Sequence, residues 1–447
     1  MKILVAQNSI YVPTLGGANK ANRLLLEGLA ERNHSCRIVV PAIGSHGPKT
    51  YETFLKELAK RGISVTSSSG VITFHYNGVE VHAVMNGSQL RSHLMNQIHD
   101  FEPTWTLVSS DDPGQDLLRA ALEADSSRVI YIVHAPLYLP FGPGCFLASP
   151  TKTDLMRQAA GIITTSNYVK EYIRRWSGLE STVIPFPHFG PGPFPHFRNY
   201  DKGFVTIVNP CAYKGLPIFL ALVQRFPDVQ FAAVPTWGTT QADHVALEKF
   251  PNVQLLKPVD NINEIFAQTR ILLVPSLWDE AFGVIVVEAM LCGIPVLASN
   301  SGGLPEAKLG VDYILPVRPI EHYKERFDDR QWPIPIVPDQ DIDPWEQALG
   351  RLLADRDHYE ALSTASRDAA LAFVARVGIP PFENYLKNLK PATRTTQAEF
   401  PYAKTEQDSK MDGFQVRIDD LSPEKRALLA LRLQSSKNRR EESDDQS

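Results

Sequence analysis

Short apolar runs alternate with segments of helical hydrophobic periodicity through the first part of the chain. The apolar runs predict buried strands over residues 3–7, 36–41, 63–67, 105–109 and 129–134. Apolar residues that recur every three or four positions predict helices over residues 19–32, 51–61, 90–101 and 115–123. Strands that alternate with helices at this spacing pair in parallel, so the pattern predicts a parallel sheet covered by helices on both faces.

A second series of the same kind starts near residue 204. It predicts strands over residues 205–209, 230–234, 253–256, 271–275, 295–298 and 313–315, and helices over residues 215–226, 262–268 and 283–292. Between the two series, residues 184–197 read IPFPHFGPGPFPHF, and proline at this density continues neither a helix nor a central strand. The chain is therefore predicted to be α/β, with a first domain over 1–190, an interdomain linker, and a second domain over 198–370.

The carboxyl-terminal part of the chain has a different character. Residues 371–390 are predicted to form a helix that packs back on the first domain. Residues 391–447 are polar and are predicted to be a mostly disordered extension. Within them, LSPEKRALLALRLQ at 421–434 predicts a short helix, with Ser422 as its N-cap and Pro423 in its first turn.

Composition narrows the class of protein. The 447 residues carry 45 basic and 50 acidic side chains, a net charge of −5, which gives no electrostatic footprint for nucleic acid or an anionic membrane. No run of about 18 apolar residues occurs, so no transmembrane segment is expected. The four cysteines lie far apart and form no CxxC pair, so buried thiols are favoured over disulfides or a zinc site. These features favour a cytoplasmic protein.

Two glycines follow the first predicted strand and precede the first predicted helix. Gly16 and Gly17 would let the backbone approach a ligand closely, and the start of the helix offers free N–H groups suited to an anion. A tight strand-to-helix turn explains the two glycines equally well. The dinucleotide fingerprint GxGxxG is absent, which disfavours a Rossmann-fold dehydrogenase.

The segment DEAFGVIVVEAM at 279–290 combines a glycine with two carboxylates at a predicted helix start. Gly283 opens the helix, Glu280 lies in the loop before it, and Glu288 lies within it. Helix N–H groups can bind a phosphate, while carboxylates accept hydrogen bonds from sugar hydroxyls. The alternative is an amphipathic helix with one acidic cap, but a carboxylate inside so apolar a segment is costly to bury without a partner.

Three further segments carry weaker signals. NPCAYKG at 209–215 places Lys214 at a helix start, where it suits a diphosphate, although a solvated surface lysine explains it as well. SGGLPE at 301–306 repeats the glycine turn, with Glu306 near the start of a helix. Asp111 and Asp112, in SSDDPG, are better explained by a turn than by a metal site.

In their order along the chain, the segments at 209–215, 279–290 and 301–306 resemble the second domain of retaining glycosyltransferases of the GT-B fold, family 4 type. Glu280 and Glu288 match the E-x7-E pattern of that family, and the loop of Gly16 and Gly17 matches its amino-terminal glycine loop. The resemblance covers residues 1–390, and it implies two Rossmann-like doubly wound domains that face a cleft.

The resemblance also implies roles for individual residues. Glu280 binds hydroxyls of the donor sugar, Lys214 neutralises the diphosphate leaving group, and His134, at the end of the predicted strand YIVH, faces the donor sugar. These three are the expected catalytic residues, with a buried strand-end histidine as the alternative for His134. Glu288 is expected to bind the ribose of the nucleotide. The other donor-binding positions that the resemblance implies are Gly16, Gly17, Asn209, Val259 (beside the nucleotide base), Phe282 and Gly283.

One departure from the family concerns the phosphate contacts. Many members have Gly-Arg where this chain has Asn209 and Pro210, so the usual pair of Arg and Lys around the diphosphate is halved. Lys214 and helix N-termini would then stabilise the negative charge of the leaving group. The resemblance implies no metal ion and no other cofactor.

The expected function is transfer of a sugar from a nucleotide diphosphate sugar to a small-molecule acceptor, with retention of anomeric configuration. Two alternatives stay open, a non-catalytic GT-B scaffold and a sugar-nucleotide epimerase on the same fold. Residues 412–434 resemble short helices at module junctions of nonribosomal peptide and polyketide synthases. That likeness implies a tailoring role with docking to a synthase or carrier protein, and the alternative is a helix that packs against the body of the protein.

Overall fold

The computed structural model describes residues 1–393, apart from Leu15, 45–47, 146–147, Pro191, Arg198, Asp260 and 329–332. The predicted extension therefore lies almost entirely outside the described residues, and its helix at 421–434 lies wholly outside them. Within the described part, no helix is both long enough and apolar enough to cross a bilayer.

Nine described strands form the sheet of the first domain. They are β1 (Lys2–Ala6), β2 (Ser35–Pro41), β3 (Val65–Ser68), β4 (Val71–Tyr76), β5 (Val79–Val84), β6 (Trp105–Ser109), β7 (Val129–Val133), β8 (Gly161–Thr164) and β9 (Thr182–Val183). Their spatial order is β3-β4-β5-β2-β1-β6-β7-β8-β9. Every neighbouring pair is parallel except those that β4 makes with β3 and β5.

Helices cover both faces of this sheet. One face carries α1 (Gly17–Glu31) and α2 (Tyr51–Lys60), and the other carries α3 (Leu90–Phe101), α4 (Asp116–Ala124), α5 (Pro150–Arg157) and α6 (Asn167–Ser177). Helix α1 buries Leu25, Leu26 and Leu29 completely, at the spacing of one helical face. Each such leucine contributes roughly 1.5–3 kcal/mol to folding, so this face fixes α1 against the sheet.

A hairpin departs from the predicted alternation of strands and helices. Strands β4 and β5 are antiparallel, and they are joined by a two-residue turn of Asn77 and Gly78, whose φ angles are 46° and 78°. Positive φ at both positions is what a type I′ hairpin turn requires. The strand predicted over 63–67 is β3, an exposed edge strand that pairs with β4. The first sheet is therefore mixed at one edge.

The second domain has a sheet of six described strands, all parallel. They are β10 (Phe204–Val208), β11 (Phe231–Val234), β12 (Val253–Leu255), β13 (Thr269–Val274), β14 (Val296–Ser299) and β15 (Ile314–Leu315), in the order β12-β11-β10-β13-β14-β15. The helices are α7 (Leu216–Arg225), α8 (Gln241–Leu247), α9 (Asn263–Phe266), α10 (Val284–Leu291), α11 (Leu304–Ala307), α12 (Asp343–Ala354) and α13 (Arg356–Val374). A hairpin of β16 (His322–Phe327) and β17 (Pro333–Ile336) follows β15. Two sheets of this kind confirm the predicted α/β fold with two doubly wound domains.

The last described helix returns to the first domain. Helix α14 (Ile379–Asn388) places Phe382 and Leu386 in the core beside α1. The carboxylate of Glu383 binds Arg32 at 2.8 Å and His34 at 2.6 Å. The indole N–H of Trp105 donates to the backbone oxygen of Leu386 at 2.8 Å. Chain segments at 184–197 and 375–378 therefore both connect the two domains.

Candidate functional site

A cavity of about 800 Å³ opens between the two domains. Its walls come from segments that follow β1, β7 and β8 in the first domain and β10, β11 and β13 in the second. Open α/β sheets bind ligands at this carboxyl edge of their strands. Nine of the predicted site residues line the cavity, namely Gly16, Gly17, His134, Asn209, Lys214, Glu280, Phe282, Gly283 and Glu288.

Val259 is the predicted site residue that the structure does not bring to the cavity. It follows β12, is half-buried, and is absent from the cavity walls. Its assignment beside the nucleotide base stays a prediction that rests on the resemblance.

An ion pair lies on the second-domain wall of the cavity. The ammonium of Lys214, after β10, bonds to Oε1 of Glu280, after β13. The same oxygen accepts the Ser276 hydroxyl at 2.6 Å and the Trp278 indole N–H at 2.9 Å. Three donors converge on this one oxygen, whereas Oε2 accepts no hydrogen bond from the described residues. The carboxylate is therefore held in place with one oxygen available to a ligand.

The charges of this pair follow from its contacts. Burial alone would raise the pKa of the Glu280 carboxyl, but the Lys214 ammonium and the donated hydrogen bonds hold that pKa below its ordinary value. Glu280 is therefore an anion at neutral pH. The ammonium of Lys214 also lies 4.7 Å from the centre of the Trp278 ring, a cation–π contact. The wall thus presents a fixed anion and a fixed cation side by side.

Residues 301–303 support the loop that carries Glu280. The Ser301 hydroxyl donates to the backbone oxygen of Trp278 at 2.7 Å, and the Gly303 N–H donates to that of Glu280 at 2.7 Å. Gly302 has a φ of 59°, and a Cβ at this position would collide with the backbone of Glu280. The predicted glycine turn therefore holds the carboxylate loop and does not itself line the cavity.

Glu288 lies on the cavity wall, on helix α10, whose N-cap is Gly283. Its side chain is 17 % exposed, and Oε1 is 2.9 Å from the ammonium of Lys20 on α1. This partner explains how an apolar helix carries a carboxylate at a partly buried position. The ion pair crosses the cavity from one domain to the other. The Phe282 ring, which also lines the cavity, stacks on Phe373 of α13, with centroids 5.6 Å apart.

His134 lies on the first-domain wall, directly after β7. Its Nε2 is 2.9 Å from Oδ1 of Asn22, its backbone N–H donates to the Ser110 hydroxyl at 3.0 Å, and the Phe186 ring centre is 5.1 Å away. Burial lowers the pKa of His134 to about 3, so its imidazole is neutral at neutral pH. The ring offers a hydroxyl a hydrogen-bond partner but offers a phosphate no positive charge.

Asn209 and Pro210 follow β10, where many members of the resembled family have Gly-Arg. Asn209 is 4 % exposed, has a φ of 61°, and accepts the Gly238 N–H through Oδ1 at 2.9 Å. Because a backbone N–H only donates, this bond fixes the orientation of the amide. Nδ2 is left without a partner among the described residues. In place of the Gly-Arg pair of the resembled family, this chain therefore has a buried amide and no arginine at these two positions.

Gly16 and Gly17 form the amino-terminal end of α1 at the cavity. Gly16 has a φ of 84°, a backbone conformation that favours glycine, and a Cβ at either position would meet open space. Beyond the adjoining residues, no atom of the described part of the chain lies within 4 Å of a Cβ built at either position, and both glycines line the cavity. The first N–H groups of a 15-residue helix are therefore accessible to a ligand.

Several cavity residues were missed by the sequence reasoning. Trp237 and Trp278 follow β11 and β13, and their ring centres are 6.0 Å apart. His188 comes from the proline-rich linker, and burial lowers its pKa to about 3. Aromatic residues at the carboxyl ends of predicted parallel strands, and a histidine in the predicted hinge, were signals that could have found them. The first-domain wall also carries three cations, Lys20, Arg23 and Arg61.

A carboxylate of the second domain caps helix α6 of the first. Glu306 accepts the backbone N–H groups of Asn167 at 2.8 Å and Tyr168 at 3.3 Å, and the side-chain amide of Asn167 at 2.9 Å. A negative charge is favourable at the N-terminus of a helix. The hydroxyl of Ser166, the N-cap of α6, also donates to the backbone oxygen of Ala281. These bonds join the domains beside the loop that carries Glu280.

Asp111 and Asp112 lie in a turn between β6 and α4. Asp111 accepts the Asn8 N–H at 3.1 Å and the Ser9 hydroxyl at 2.6 Å, and Asp112 accepts the Leu117 N–H at 2.9 Å. Both carboxylates therefore serve local backbone structure. In the part of the chain that the structure describes, no three His, Cys, Asp or Glu side chains are grouped so as to hold a metal ion.

Known proteins share parts of this sequence. Residues 203–355 match the family described as glycosyl transferases group 1. D-inositol 3-phosphate glycosyltransferase of Corynebacterium jeikeium is 27 % identical over 215 residues, which cover 44 % of this chain and 45 % of that protein. An uncharacterized 42.6 kDa protein of the Klebsiella pneumoniae cps region is 23 % identical over 336 residues, which cover 68 % of this chain and 86 % of that protein. The chain thus spans less than half the length of the first of these relatives.

Solved structures share the architecture of the whole described part. Sucrose-phosphate synthase from Thermosynechococcus elongatus matches with a TM-score of 0.61 at 16 % identity, over 86 % of this chain and 98 % of that one. Anabaena HepE in complex with UDP and glucose matches with a TM-score of 0.59 at 18 % identity, over 87 % of this chain and 100 % of that one. The chain has the two-domain GT-B fold. Within its second domain, residues 203–355 match the glycosyl transferases group 1 family, which agrees with the resemblance to GT-B glycosyltransferases.

Proposed function

We propose that the protein transfers a sugar from a nucleotide diphosphate sugar to a small molecule or a biosynthetic intermediate, with retention of anomeric configuration. The observation that carries this proposal is the ion pair of Lys214 and Glu280 on the wall of the interdomain cavity. A diphosphate needs a cation, and sugar hydroxyls need a fixed acceptor. The pair supplies both at the edge where α/β sheets bind ligands.

The chemistry of transfer explains why fixed charges matter at this site. The bond between the anomeric carbon and a diphosphate oxygen breaks, and its electrons leave with the diphosphate. The acceptor hydroxyl forms a new bond to the anomeric carbon, and its proton passes to the released diphosphate. Negative charge grows on the leaving group, where Lys214 stabilises it, while the open Oε2 of Glu280 orients a hydroxyl of the sugar.

The remaining donor contacts lie on the same wall. Glu288 binds the ribose hydroxyls, and its ion pair with Lys20 opens or shifts to make room. Asn209 lines the same cavity and is proposed as a further donor contact. The N–H groups at the start of α10, which has eight residues, add to the positive potential. With these groups in place, the proposed reaction requires no metal ion and no other cofactor.

The acceptor is assigned to the first domain, whose cavity wall also carries His134, which faces the donor sugar, and the donor-binding Gly16 and Gly17. The bonds of Glu306 to α6 hold this wall against the second domain. Closure of this kind excludes water from the reacting groups, which favours transfer over hydrolysis of the donor.

Two comparisons support a nucleotide-sugar donor. HepE was solved with UDP and glucose, and the relative from C. jeikeium is a glycosyltransferase. The same proposal includes the location, the biosynthetic role and the docking partner of the protein, which rest on the sequence. These are a cytoplasmic location, a tailoring role in natural-product biosynthesis, and docking to a synthase or carrier protein through 412–434.

Thermal unfolding across a panel of nucleoside diphosphates and their sugars tests the donor site. A donor present at 100 times its Kd should raise the free energy of unfolding by about 2.7 kcal/mol. Lys214→Ala and Glu288→Ala should each weaken that stabilisation. Lys202→Ala, which changes an exposed lysine outside the cavity, should not weaken it.

Analysis of what each stabilising nucleotide sugar is converted to distinguishes a transferase from a scaffold and from an epimerase. A stabilising donor that is never cleaved with any acceptor would indicate the non-catalytic scaffold. A donor whose sugar changes configuration without leaving the nucleotide would indicate an epimerase. Absence of stabilisation by every nucleotide would contradict the proposed donor site.

A further inference from the structure

Three side chains link the backbone after β1 to His134. Nε2 of Gln7 donates to the backbone oxygens of Ser9 at 2.9 Å and Ile10 at 3.4 Å. Nδ2 of Asn22 donates to Oε1 of Gln7 at 3.0 Å, and Oδ1 of Asn22 is 2.9 Å from Nε2 of His134. Gln7 is 0 % exposed and Asn22 is 1 % exposed, so bulk water does not compete for these groups.

The direction of each hydrogen bond in this series follows from the first one. Backbone oxygens only accept, so Gln7 turns its NH₂ toward Ser9 and Ile10 and its oxygen toward Asn22. Asn22 then offers its own NH₂ to that oxygen, which leaves Oδ1 facing His134. An amide oxygen also only accepts, so Nε2 of His134 carries the proton and Nδ1 keeps the lone pair.

The second ring nitrogen of His134 is accessible from the cavity. Among the described residues Nδ1 makes no hydrogen bond, and it is not one of the fully buried polar atoms that lack a partner. His134 itself lines the cavity. A lone pair at this position attracts an O–H donor and repels a phosphate oxygen, which only accepts.

We propose that Gln7 and Asn22 are positioning residues that hold His134 as its Nε2–H tautomer, so that Nδ1 accepts a hydrogen bond from a substrate hydroxyl. This role deepens the proposed glycosyl transfer, on which it rests, by naming the chemical group that His134 recognises. Burial keeps the ring neutral by lowering its pKa to about 3. His134 therefore binds a hydroxyl of the sugar or acceptor, and Lys214 is left to bind the diphosphate.

The nitrogen-15 spectrum of the histidine rings reads the tautomer directly. The chain has 12 histidines, and the signal of His134 is the one that His134→Gln removes. The wild type should show a protonated Nε2 and an unprotonated Nδ1 at neutral pH. Gln7→Met lets Asn22 rotate, and Asn22→Leu removes the acceptor, so both variants should shift His134 toward the Nδ1–H form.

Two further variants separate positioning from general structural damage. Gln7→Glu, unlike Gln7→Met, should keep the Nε2–H tautomer of His134, because a protonated carboxyl can donate to Ser9 and accept from Asn22. Asn199→Leu is the matched control, since Asn199 is 5 % exposed and its Nδ2 donates to backbone oxygens of the second domain. It should lower stability without changing the His134 signals.

Kinetics locate the hydroxyl that His134 binds. Loss of one neutral hydrogen bond in Asn22→Leu should raise KM roughly tenfold with little change in kcat. A series of deoxy donors and acceptors then identifies the partner. Removal of the correct hydroxyl should cost the wild type a similar factor and cost Asn22→Leu nothing, because the two changes remove the same contact.

The possible failures are distinguishable. An Nδ1–H ring in the wild type, or unchanged signals in both Gln7→Met and Asn22→Leu, would overturn the positioning role. If Asn22→Leu does not fold, the wild-type spectrum decides. A protein that shows the Nε2–H ring but binds no nucleotide sugar would support the positioning of His134 and overturn the proposed function.

Discussion

Lys214 and Glu280, 66 residues apart in the chain, form an ion pair on the wall of the interdomain cavity. Each residue follows a different strand of the second sheet, β10 and β13, and these strands are neighbours. The pair combines the two charges that a sugar diphosphate requires. Because the two side chains have separate roles, substitution of each one in turn measures its contribution to activity.

Removal of either partner should abolish most of the transfer activity. Glu280→Gln loses the anion that holds Lys214, and Lys214→Ala loses the charge that stabilises the leaving group, so kcat should fall by about 100-fold or more in each. Release of the nucleoside diphosphate measures this. Glu264→Gln changes an exposed carboxylate outside the cavity and should keep wild-type turnover. Turnover of Glu280→Gln within a few-fold of the wild type would remove Glu280 from the mechanism.

Glu288 should determine affinity for the nucleoside and not for the phosphates. Glu288→Gln loses a charge-assisted hydrogen bond to ribose, so the Kd of the nucleoside diphosphate should rise roughly 10- to 100-fold. Its Kd for pyrophosphate, measured by calorimetry, should stay unchanged. Lys214→Ala should weaken the binding of both ligands. If Glu288→Gln weakened the binding of the nucleoside diphosphate and of pyrophosphate by the same factor, Glu288 would not contact the ribose.

Glu306 should stabilise the closed arrangement of the two domains. Glu306→Gln removes the charge at the N-terminus of α6, so the KM of the acceptor should rise roughly fivefold. The radius of gyration from small-angle scattering should also increase. Glu171→Gln, on the exposed face of the same helix, is the control and should change neither quantity. An unchanged radius of gyration in Glu306→Gln would show that other contacts hold the domains together.

Lys308 should make stability depend on pH in the alkaline range. It is fully buried, its ammonium donates only to the backbone oxygen of Val296 among the described residues, and burial lowers its pKa to about 7. Between about pH 7 and pH 10 the unfolded lysine is protonated while the native one is not, so the free energy of unfolding rises with pH.

Lys308→Met should remove that dependence. Urea unfolding at several pH values should show the wild type gaining up to about 1.4 kcal/mol per pH unit relative to Lys308→Met. Lys60→Met, which replaces an exposed lysine, should follow the wild type. Parallel curves for the wild type and Lys308→Met would contradict the low pKa of Lys308.

Much of the fold could be predicted because the hydrophobic pattern and the strand spacing agree. Loops after parallel strands meet at one edge, and for that reason Lys214, Glu280 and Glu288 could be expected in one site. The hairpin of β4 and β5 was missed although Asn77 and Gly78 are a strong turn signal.

Other features depend on contacts that the sequence does not encode locally. The ion pair of Lys20 and Glu288 joins residues 268 positions apart, and Glu306 binds Asn167 across 139 positions. Both require the actual arrangement of the two domains. The orientation of His134 requires knowledge of which amide faces which carbonyl. Val259 was placed by resemblance alone, and no local signal supported it.

The most direct test of the account follows a single reaction by proton NMR. The stabilising nucleotide sugar is incubated with acceptor and either the wild type or Glu280→Gln, and the anomeric signals are recorded with time. We predict that the wild type releases the nucleoside diphosphate and forms a glycoside with the anomeric configuration of the donor, while Glu280→Gln leaves the donor intact. A glycoside of inverted configuration, or equal turnover by the two proteins, would contradict the account.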